Sequence, residues 1–483
     1  ALGGHAGFVP EPAVAIRRVL ALAPGEEATA DLVLGAAATR KAALRLVETY
    51  RARAAADAVL ELAWTWNQAL LRQLDASEAE AELYARLAGF LLYPQRALRA
   101  GPAIAANGAS SAALQRCGIS GAHPLVLASI GDTANLDFAY QLLQAHAWWR
   151  MKGLQADLVL WLDGTDDALH DQARNLVASR VDAQAIGCPG GVYVFAVGQL
   201  APEELVALQA AASVVLKDGG GSLRDQLRRA ETARATLPPA LQPDPHPEAW
   251  SVRTQEPQGV HEQPLLLDNG IGGFSADGRE YWIRTGPGQH TPAPWTNLLA
   301  NRHFGSVVSE SGAACTWRTD APALQLTPRH ADPLRGAAGE AFYLRDEHSG
   351  VFWSPTALPA PSGGTYTTRH GFGYSVFEHT AQGIHSELTS FVPLGAPLKY
   401  SVFRLRNDSS IPRRLSLTGY VEWAPGASRM QVVTGRDEAS GALFAQDADS
   451  PGAAFFHLDA DNAAFTCDRI EFIGRGRNPM RPA

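Results

Sequence analysis

The sequence is poor in cysteine, in long apolar runs and in clustered charge of either sign. Its four cysteines, Cys117, Cys188, Cys315 and Cys467, lie far apart among 483 residues, without a CxxC pair or Cys/His ligand spacing. That argues against a disulfide scaffold and a zinc site, and it predicts reduced, buried thiols of a cytosolic kind. The longest apolar stretches, residues 157–163 and 192–198, fall far short of the roughly 20 residues a membrane span needs. A basic segment followed by an apolar one, the mark of a signal peptide, is missing as well. Lys and Arg number 41 against 49 Asp and Glu, a net charge of −8 with neither sign in blocks. A nucleic-acid or anionic-membrane surface needs clustered cations, so both are disfavoured as partners. Neutral or small-molecule partners fit better.

What is present suffices for packed cores, with 46% hydrophobic and 19% charged residues. At this length two to four domains are expected. Residues 1–38 alternate on both sides of Pro24-Gly25 and read as two short strands around a turn. Residues 39–120 switch to helical spacing. There Thr39 caps a first helix, an Ala/Leu-rich stretch runs from Ala54 to Leu74, and a further helix spans Ser77 to Leu92.

Residues 121–237 alternate short apolar runs (125–130, 157–162, 192–197, 213–216) with amphipathic helices (132–152, 166–179, 202–211, 222–229). That order implies a small parallel sheet covered by helices. The Pro-rich stretch 238–260 reads as a linker. Over 261–483 helical spacing disappears, and Gly, Pro, Trp and Tyr punctuate short alternating runs such as 281–284, 400–406 and 414–423. A large antiparallel β-sandwich is the expectation. The fold class is multidomain α+β.

Ordered blocks in this last zone carry a resemblance. Asn269-Gly-Ile-Gly-Gly-Phe-Ser-Ala-Asp-Gly-Arg-Glu-Tyr281 is followed by Thr291-Pro-Ala-Pro-Trp-Thr-Asn297 and Val308-Ser-Glu-Ser-Gly312. Then come Gly339-Glu-Ala-Phe-Tyr-Leu-Arg-Asp346, Trp353-Ser-Pro355, Arg369-His-Gly-Phe-Gly-Tyr-Ser375 and Tyr420-Val-Glu-Trp423. Together they resemble the N-terminal sandwich of glycoside hydrolase family 94, formerly glycosyltransferase family 36. Upstream, Leu91-Leu-Tyr-Pro94, Gly118-Ile-Ser-Gly121 and Leu142-Leu-Gln-Ala-His-Ala-Trp-Trp149 resemble the region between two sandwich repeats of cyclic β-1,2-glucan synthases.

The resemblance implies an internal part of a hexosyltransferase that makes cyclic β-1,2-glucan and trims it by phosphorolysis. The parent would be held at the cytoplasmic face of a bacterial inner membrane, this segment itself being soluble. Implied partners are β-1,2-glucan or a gluco-oligosaccharide and the parent's other domains, with a homodimer as a further option; no cofactor and no metal is implied. In the family, transfer happens in an (α/α)6 barrel that follows the sandwich. Its general acid has no counterpart in this sequence, so no catalytic residue is assigned and the span alone is expected to be inactive. Two other readings stand beside this one: a stand-alone carbohydrate-binding or scaffold module, and part of a free-standing β-glucan phosphorylase. The first residues resemble the last strands of a preceding sandwich. Residues 1–36 are therefore expected to fill strand positions of the C-terminal sandwich, within one chain or between two molecules.

A sandwich offers a glucan walls and a lid. Trp295, Trp317, Trp353 and Tyr374 are candidates to stack on sugar faces, with Trp423 a further ring. Asn297, Arg345, Asp346, Arg369 and His370 are candidates to bond hydroxyls. The competing reading of each is core or turn packing. Glu378-His379 suggests an acid/base pair, but neighbours in a strand face opposite sides. Between Trp317 and Pro333 the sequence keeps Leu326-Thr-Pro328 and Asp332-Pro333. It reads Arg329-His-Ala331 where the family carries a Trp and an Asn.

In the α/β zone, Asp218-Gly-Gly-Gly-Ser222 lies between a strand and a helix, where backbone N–H groups hold phosphate in other proteins. It lacks the GxGxxG and Walker spacings, so a turn capped by Ser222 is the simpler reading. Asp163-Gly-Thr-Asp-Asp167 reads either as oxygen ligands for a divalent cation or as a polar turn with a helix cap. Trp148-Trp149 reads as core or interface.

Overall fold

The computed structural model describes residues 15–19, 21–30, 32–106, 111–164, 166–196, 198–232, 264–318, 325–328, 339–424, 432–447, 452–460, 463–474 and 477–482. The chain divides into two compact units, residues 1–82 and 83–483.

In the first unit, Ala23-Pro24-Gly25-Glu26 makes the expected turn, with Glu26 N–H donating to the Ala23 carbonyl at 2.9 Å and Gly25 at φ +83°. The flanking runs differ from expectation. No described residue between 15 and 38 belongs to a strand, and Ile16, Val19, Leu22 and Leu32 to Leu34 are exposed. A strand needs a neighbour to satisfy its backbone groups, and without one the apolar alternation has nothing to fold against. The part of that expectation resting on residues 1–14 lies outside the described residues. Helix α1 (Arg40–Tyr50) begins where Thr39 Oγ1 accepts from Ala42 N–H at 3.2 Å. Helix α2 (Arg53–Leu74) ends at Asp75, which takes the left-handed conformation. Helix α3 (Glu78–Leu92) starts with a capping box, in which Ser77 Oγ accepts from Glu80 N–H while Glu80 Oε2 accepts from Ser77 N–H at 2.8 Å.

In the second unit come two short helices, α4 (Gly101–Ala106) and α5 (Ser111–Arg116). The alternating zone follows: β1 (Leu125–Ile130), α6 (Leu136–Met151), β2 (Asp157–Leu162), α7 (Asp167–Arg180), β3 (Val192–Ala196), α8 (Pro202–Ala211), β4 (Val214–Lys217) and α9 (Leu223–Thr232). The four strands form a parallel sheet in the order β3-β2-β1-β4. All six residues of β1 are buried, as expected of a strand covered by helices on both faces. Leu127, Val159 and Tyr193 pack with Leu208 of α8 in this core. Trp149 Nε1 donates to the Tyr84 carbonyl at 2.9 Å and Tyr84 Oη to Gln144 Oε1 at 3.0 Å, fastening the described part of α3 beyond residue 82 to α6. Trp149 is therefore core. The 238–260 linker lies outside the described residues.

The rest is antiparallel: β5 (Gly272–Phe274), β6 (Glu280–Thr285), β7 (Thr296–Ala300), β8 (Phe304–Ser309), β9 (Ala314–Arg318), β10 (Glu340–Asp346), β11 (Phe352–Trp353), β12 (Tyr366–Gly371), β13 (Tyr374–Ala381), β14 (Ile384–Phe391), β15 (Tyr400–Asn407), β16 (Leu415–Val421), β17 (Val432–Arg436), β18 (Leu443–Asp447) and β19 (Ala453–Phe456), with a closing helix α10 (Arg469–Ile473). A six-stranded sheet runs β15-β14-β13-β12-β6-β5, and three-stranded sheets run β11-β10-β16, β7-β8-β9 and β17-β18-β19. Period-two alternation decides which side of β13 and β14 is buried. Phe377 and Leu388 pack with Leu299, Phe304 and Val308, while Ala381 and Ile384 pack with Leu344 and Trp353. The opposite side of the same strands carries Glu378 and Glu387.

All four cysteines are free thiols, but the expected burial holds only in part. Cys117 and Cys315 are partly buried, whereas Cys188 and Cys467 lie in exposed turns and coil, where no apolar core is available to cover them.

Candidate functional site

The outward side of the six-stranded sheet gathers three carboxylates around one guanidinium. Register places Arg369 of β12 opposite Trp282 of β6 and Val376 of β13. Its Nη1 donates to Glu280 Oε1 at 3.2 Å, and its Nη2 to Glu378 Oε1 at 3.1 Å with Glu387 Oε2 at 3.5 Å. Glu378 and Glu387 are directly opposed across β13 and β14, an unfavourable pairing of like charges that Arg369 relieves. Trp282 Nε1 and Tyr374 Oη both donate to Glu280, each at 2.9 Å. Burial first, and then the Glu280 carboxylate, push the Tyr374 phenol above its ordinary range. The Arg369 side chain is 19% exposed, so the network is shielded but not sealed.

A second cluster ties β7 to the β12–β13 hairpin. Asn297 Nδ2 donates to the Gly371 carbonyl at 2.9 Å, the Tyr374 carbonyl at 2.8 Å and Ser375 Oγ at 3.1 Å. His370 Nε2 donates to the Trp295 carbonyl at 3.1 Å, which leaves Nδ1 to accept from Ser375 Oγ at 2.9 Å. Burial lowers the His370 pKa, only partly opposed by that carbonyl. The Trp295 ring meets Tyr281 edge-on at 5.8 Å, and Tyr281 meets Phe274 at 4.9 Å. At the tip of the hairpin Phe372 is 94% exposed. The structure thus brings Trp295, Asn297, Arg369, His370 and Tyr374 to one end of the sandwich. Glu280, Trp282 and Phe372 join them. The last lies within a block quoted above for its resemblance, and its place between two glycines was the signal for a hairpin tip.

The other candidates lie elsewhere and are engaged in packing. Trp353 is fully buried against Leu344, Ala381 and Ile384, so its ring is core and offers no face to a sugar. Trp317 covers Gly305, where an added Cβ would lie 2.5 Å from the indole Cζ2. Asp346 is buried and ion-paired with Arg413, while it accepts from His348 N–H at 2.9 Å. Burial works against its charge, but those donors hold the carboxyl below its usual range. Arg345 pairs with Glu347, and Trp423 is half-buried. His379 turns inward and stacks on Tyr366 at 3.7 Å, away from Glu378, so these two neighbours do face opposite sides.

In the segment after Trp317, Leu326 N–H donates to the Thr316 carbonyl at 2.8 Å, and Thr327 Oγ1 donates to Glu340 at 2.9 Å. Glu340 is buried, which opposes its charge, but the Lys399 ammonium beside it holds the carboxyl below its ordinary range. Arg329-His-Ala331, Asp332 and Pro333 lie outside the described residues.

In the α/β zone Asp163 Oδ2 accepts from Ser129 Oγ at 2.5 Å, and Asp218 Oδ2 accepts from Gly131 N–H at 2.8 Å and Asn135 Nδ2 at 3.0 Å. Ser222 Oγ accepts from Asp225 N–H at 3.2 Å and donates back to its carboxylate at 2.6 Å, a helix cap. Among the described residues no group of three or more His, Cys, Asp or Glu is arranged to hold a metal ion.

The chain matches the family profile described as "Glycosyl hydrolase 94, supersandwich domain" over residues 1–53 and 279–483. It is 32% identical to the cyclic beta-(1,2)-glucan synthase NdvB of Rhizobium meliloti (strain 1021) over 498 residues, covering 100% of this chain and 18% of that protein. It is 34% identical over 156 residues to N,N'-diacetylchitobiose phosphorylase of Vibrio furnissii, covering 32% of this chain and 19% of the relative. With solabiose phosphorylase of Paenibacillus borealis it shares 28% identity over 158 residues, 32% of this chain and 20% of the relative. The chain spans 18–20% of the length of these relatives. With antiparallel sheets where the profile matches, and a carbohydrate-active relative along its whole length, the chain belongs to the glycosyl hydrolase 94 supersandwich family.

Proposed function

We propose that this chain is the sandwich-and-linker portion of a larger enzyme that makes and trims cyclic β-1,2-glucan. Its own contribution is to hold glucan and to assemble neighbouring domains, without transferring sugar itself. The observation that carries this reading is what the candidate residues do. Asn297, His370, Asp346 and Trp353 use their polar groups or rings to join strands, which is the work of a frame. The organisation follows as a helical linker over 39–120, an α/β domain over 121–237, a Pro-rich connection over 238–260 and a sandwich over 261–483. Glucan is held at the β12–β13 end, where Phe372 offers an exposed apolar ring. Attachment to the cytoplasmic face of a membrane belongs to the parent; among the described residues no helix is long and apolar enough to cross one.

A portion of a free-standing β-glucan phosphorylase is the alternative. The phosphorylase matches support it over 32% of the chain, against 100% for the synthase. Incubation with glucose 1-phosphate and a β-1,2-gluco-oligosaccharide tests the absence of transfer. No phosphate is expected to be released, and steady release by the purified chain would overturn this assignment.

A further inference from the structure

From the hairpin tip at Phe372 a row of rings runs on across the outward side of the six-stranded sheet. Register sets Glu280 of β6, Gly371 of β12, Tyr374 of β13, Phe391 of β14 and Tyr400 of β15 side by side. Residues paired in register point to one side of a sheet. Here it is the side away from Phe377, Leu388 and Phe403, which pack into the core. Gly371 makes room in the row. A Cβ there would fall 2.4 Å from Tyr374 Cζ, so the phenol ring lies down in the space of the missing side chain. Its hydroxyl then reaches across β12 to Glu280 at 2.9 Å. Phe391 and Tyr400 stack at 5.2 Å with their planes 26° apart. From β12 to β15 the row covers about 14 Å at the ordinary spacing of strands, and Tyr400 at its far end is 50% exposed.

Beside the rings the charges cancel. Glu280, Glu378 and Glu387 are matched by Arg369 and Arg404, with Arg284 on the same side, and Arg406 is paired with Asp408. An acidic or basic partner needs an excess of the opposite sign, which this side does not offer. Flat rings suit the CH faces of sugars, and carboxylate oxygens beside them accept from hydroxyls. We propose that a neutral glucan chain of several sugars lies along this row, from Phe372 over Tyr374 and Phe391 to Tyr400. Resting on the assignment of glucan to the β12–β13 end, this makes the site a track for an extended chain in place of a single ring.

Calorimetric titration of the full chain with the disaccharide, tetrasaccharide and hexasaccharide of β-1,2-linked glucose tests this. Affinity is expected to rise with length, on the order of tenfold from disaccharide to hexasaccharide. That rise is read on the parent chain and needs no variant. Tyr400→Ala should remove it, weakening the hexasaccharide on the order of tenfold and leaving the disaccharide as in the parent. Tyr400→Phe keeps the ring and should bind all three as the parent does. Phe455→Ala, at an exposed ring of β19 in another sheet, should change nothing. Equal affinity at all three lengths, or hexasaccharide binding that Tyr400→Ala leaves unchanged, would overturn the track while the site at Phe372 stands. Absence of binding at every length would overturn both.

Discussion

Arg369 donates through one guanidinium nitrogen to both carboxylate oxygens of Glu280, at 3.2 and 3.3 Å, across the ladder between β12 and β6. Its other terminal nitrogen separates Glu378 from Glu387. Replacing it with Ala leaves three carboxylates facing one another on a half-buried surface and should cost about 2 kcal/mol of stability. Lys should recover little, because a point charge cannot fork between carboxylates on two sides. Adding Glu378→Gln to Arg369→Ala should regain part of the loss. Urea midpoints of the three variants check this, and a neutral Arg369→Ala would contradict it.

Asn297 closes a gap between sheets with one amide. Asn297→Ala removes the donor shared by two carbonyls and the Ser375 hydroxyl, and a loss of about 2 kcal/mol is expected. Asn297→Asp should be at least as harmful, since a carboxylate faces the same acceptors without a proton to give. Thermal unfolding of both variants reads the effect.

His146 gives the fold a pH dependence. It is buried in α6, with Nε2 bonded to the Ala156 carbonyl at 3.0 Å, and burial above all pushes its pKa down to about 4. In the unfolded chain it titrates near 6.5. Between these values the unfolded state binds the extra proton, so stability is intact above about pH 6.5 and falls as the pH drops towards 4. The loss from this group is on the order of 3 kcal/mol. His146→Gln should flatten the dependence over that window, as denaturant titrations at a series of pH values will show.

Gly305 is required by the ring beside it. A methyl at this position meets the Trp317 indole at 2.5 Å and again at 2.7 Å, and a ring held in a strand cannot retreat as a flexible side chain can. Gly305→Ala should destabilise by about 2 kcal/mol, and Trp317→Leu in the same chain should relieve most of it. Thermal melts of the single and double variants decide.

Much of this architecture can be read along the chain, and the limits have physical causes. Buried parallel strands announce themselves as short continuous apolar runs, and β1 and β2 lie where 125–130 and 157–162 predict. Thr39 and the Ser77–Glu80 box mark helix starts because they meet local backbone needs. Among the described residues of 15–34 no strand forms, because alternation states what a segment will cover and leaves open where its partner strand comes from. Site residues were less legible. Trp353 and Trp295 have the same composition signal, yet one lies in β11 against the core and the other precedes β7 beside the hairpin end. Arg369 needed four strands in register before its three glutamates met.

The reading as a glucan-holding frame is tested most directly by titrating the chain with β-1,2-gluco-oligosaccharides in a calorimeter, alongside Phe372→Ala. Phe372 is 94% exposed, so its removal should change stability by less than about 0.5 kcal/mol. The account predicts saturable binding by the parent chain and a loss on the order of tenfold in affinity for the variant. No heat of binding up to millimolar oligosaccharide, or binding that Phe372→Ala leaves untouched, would contradict it.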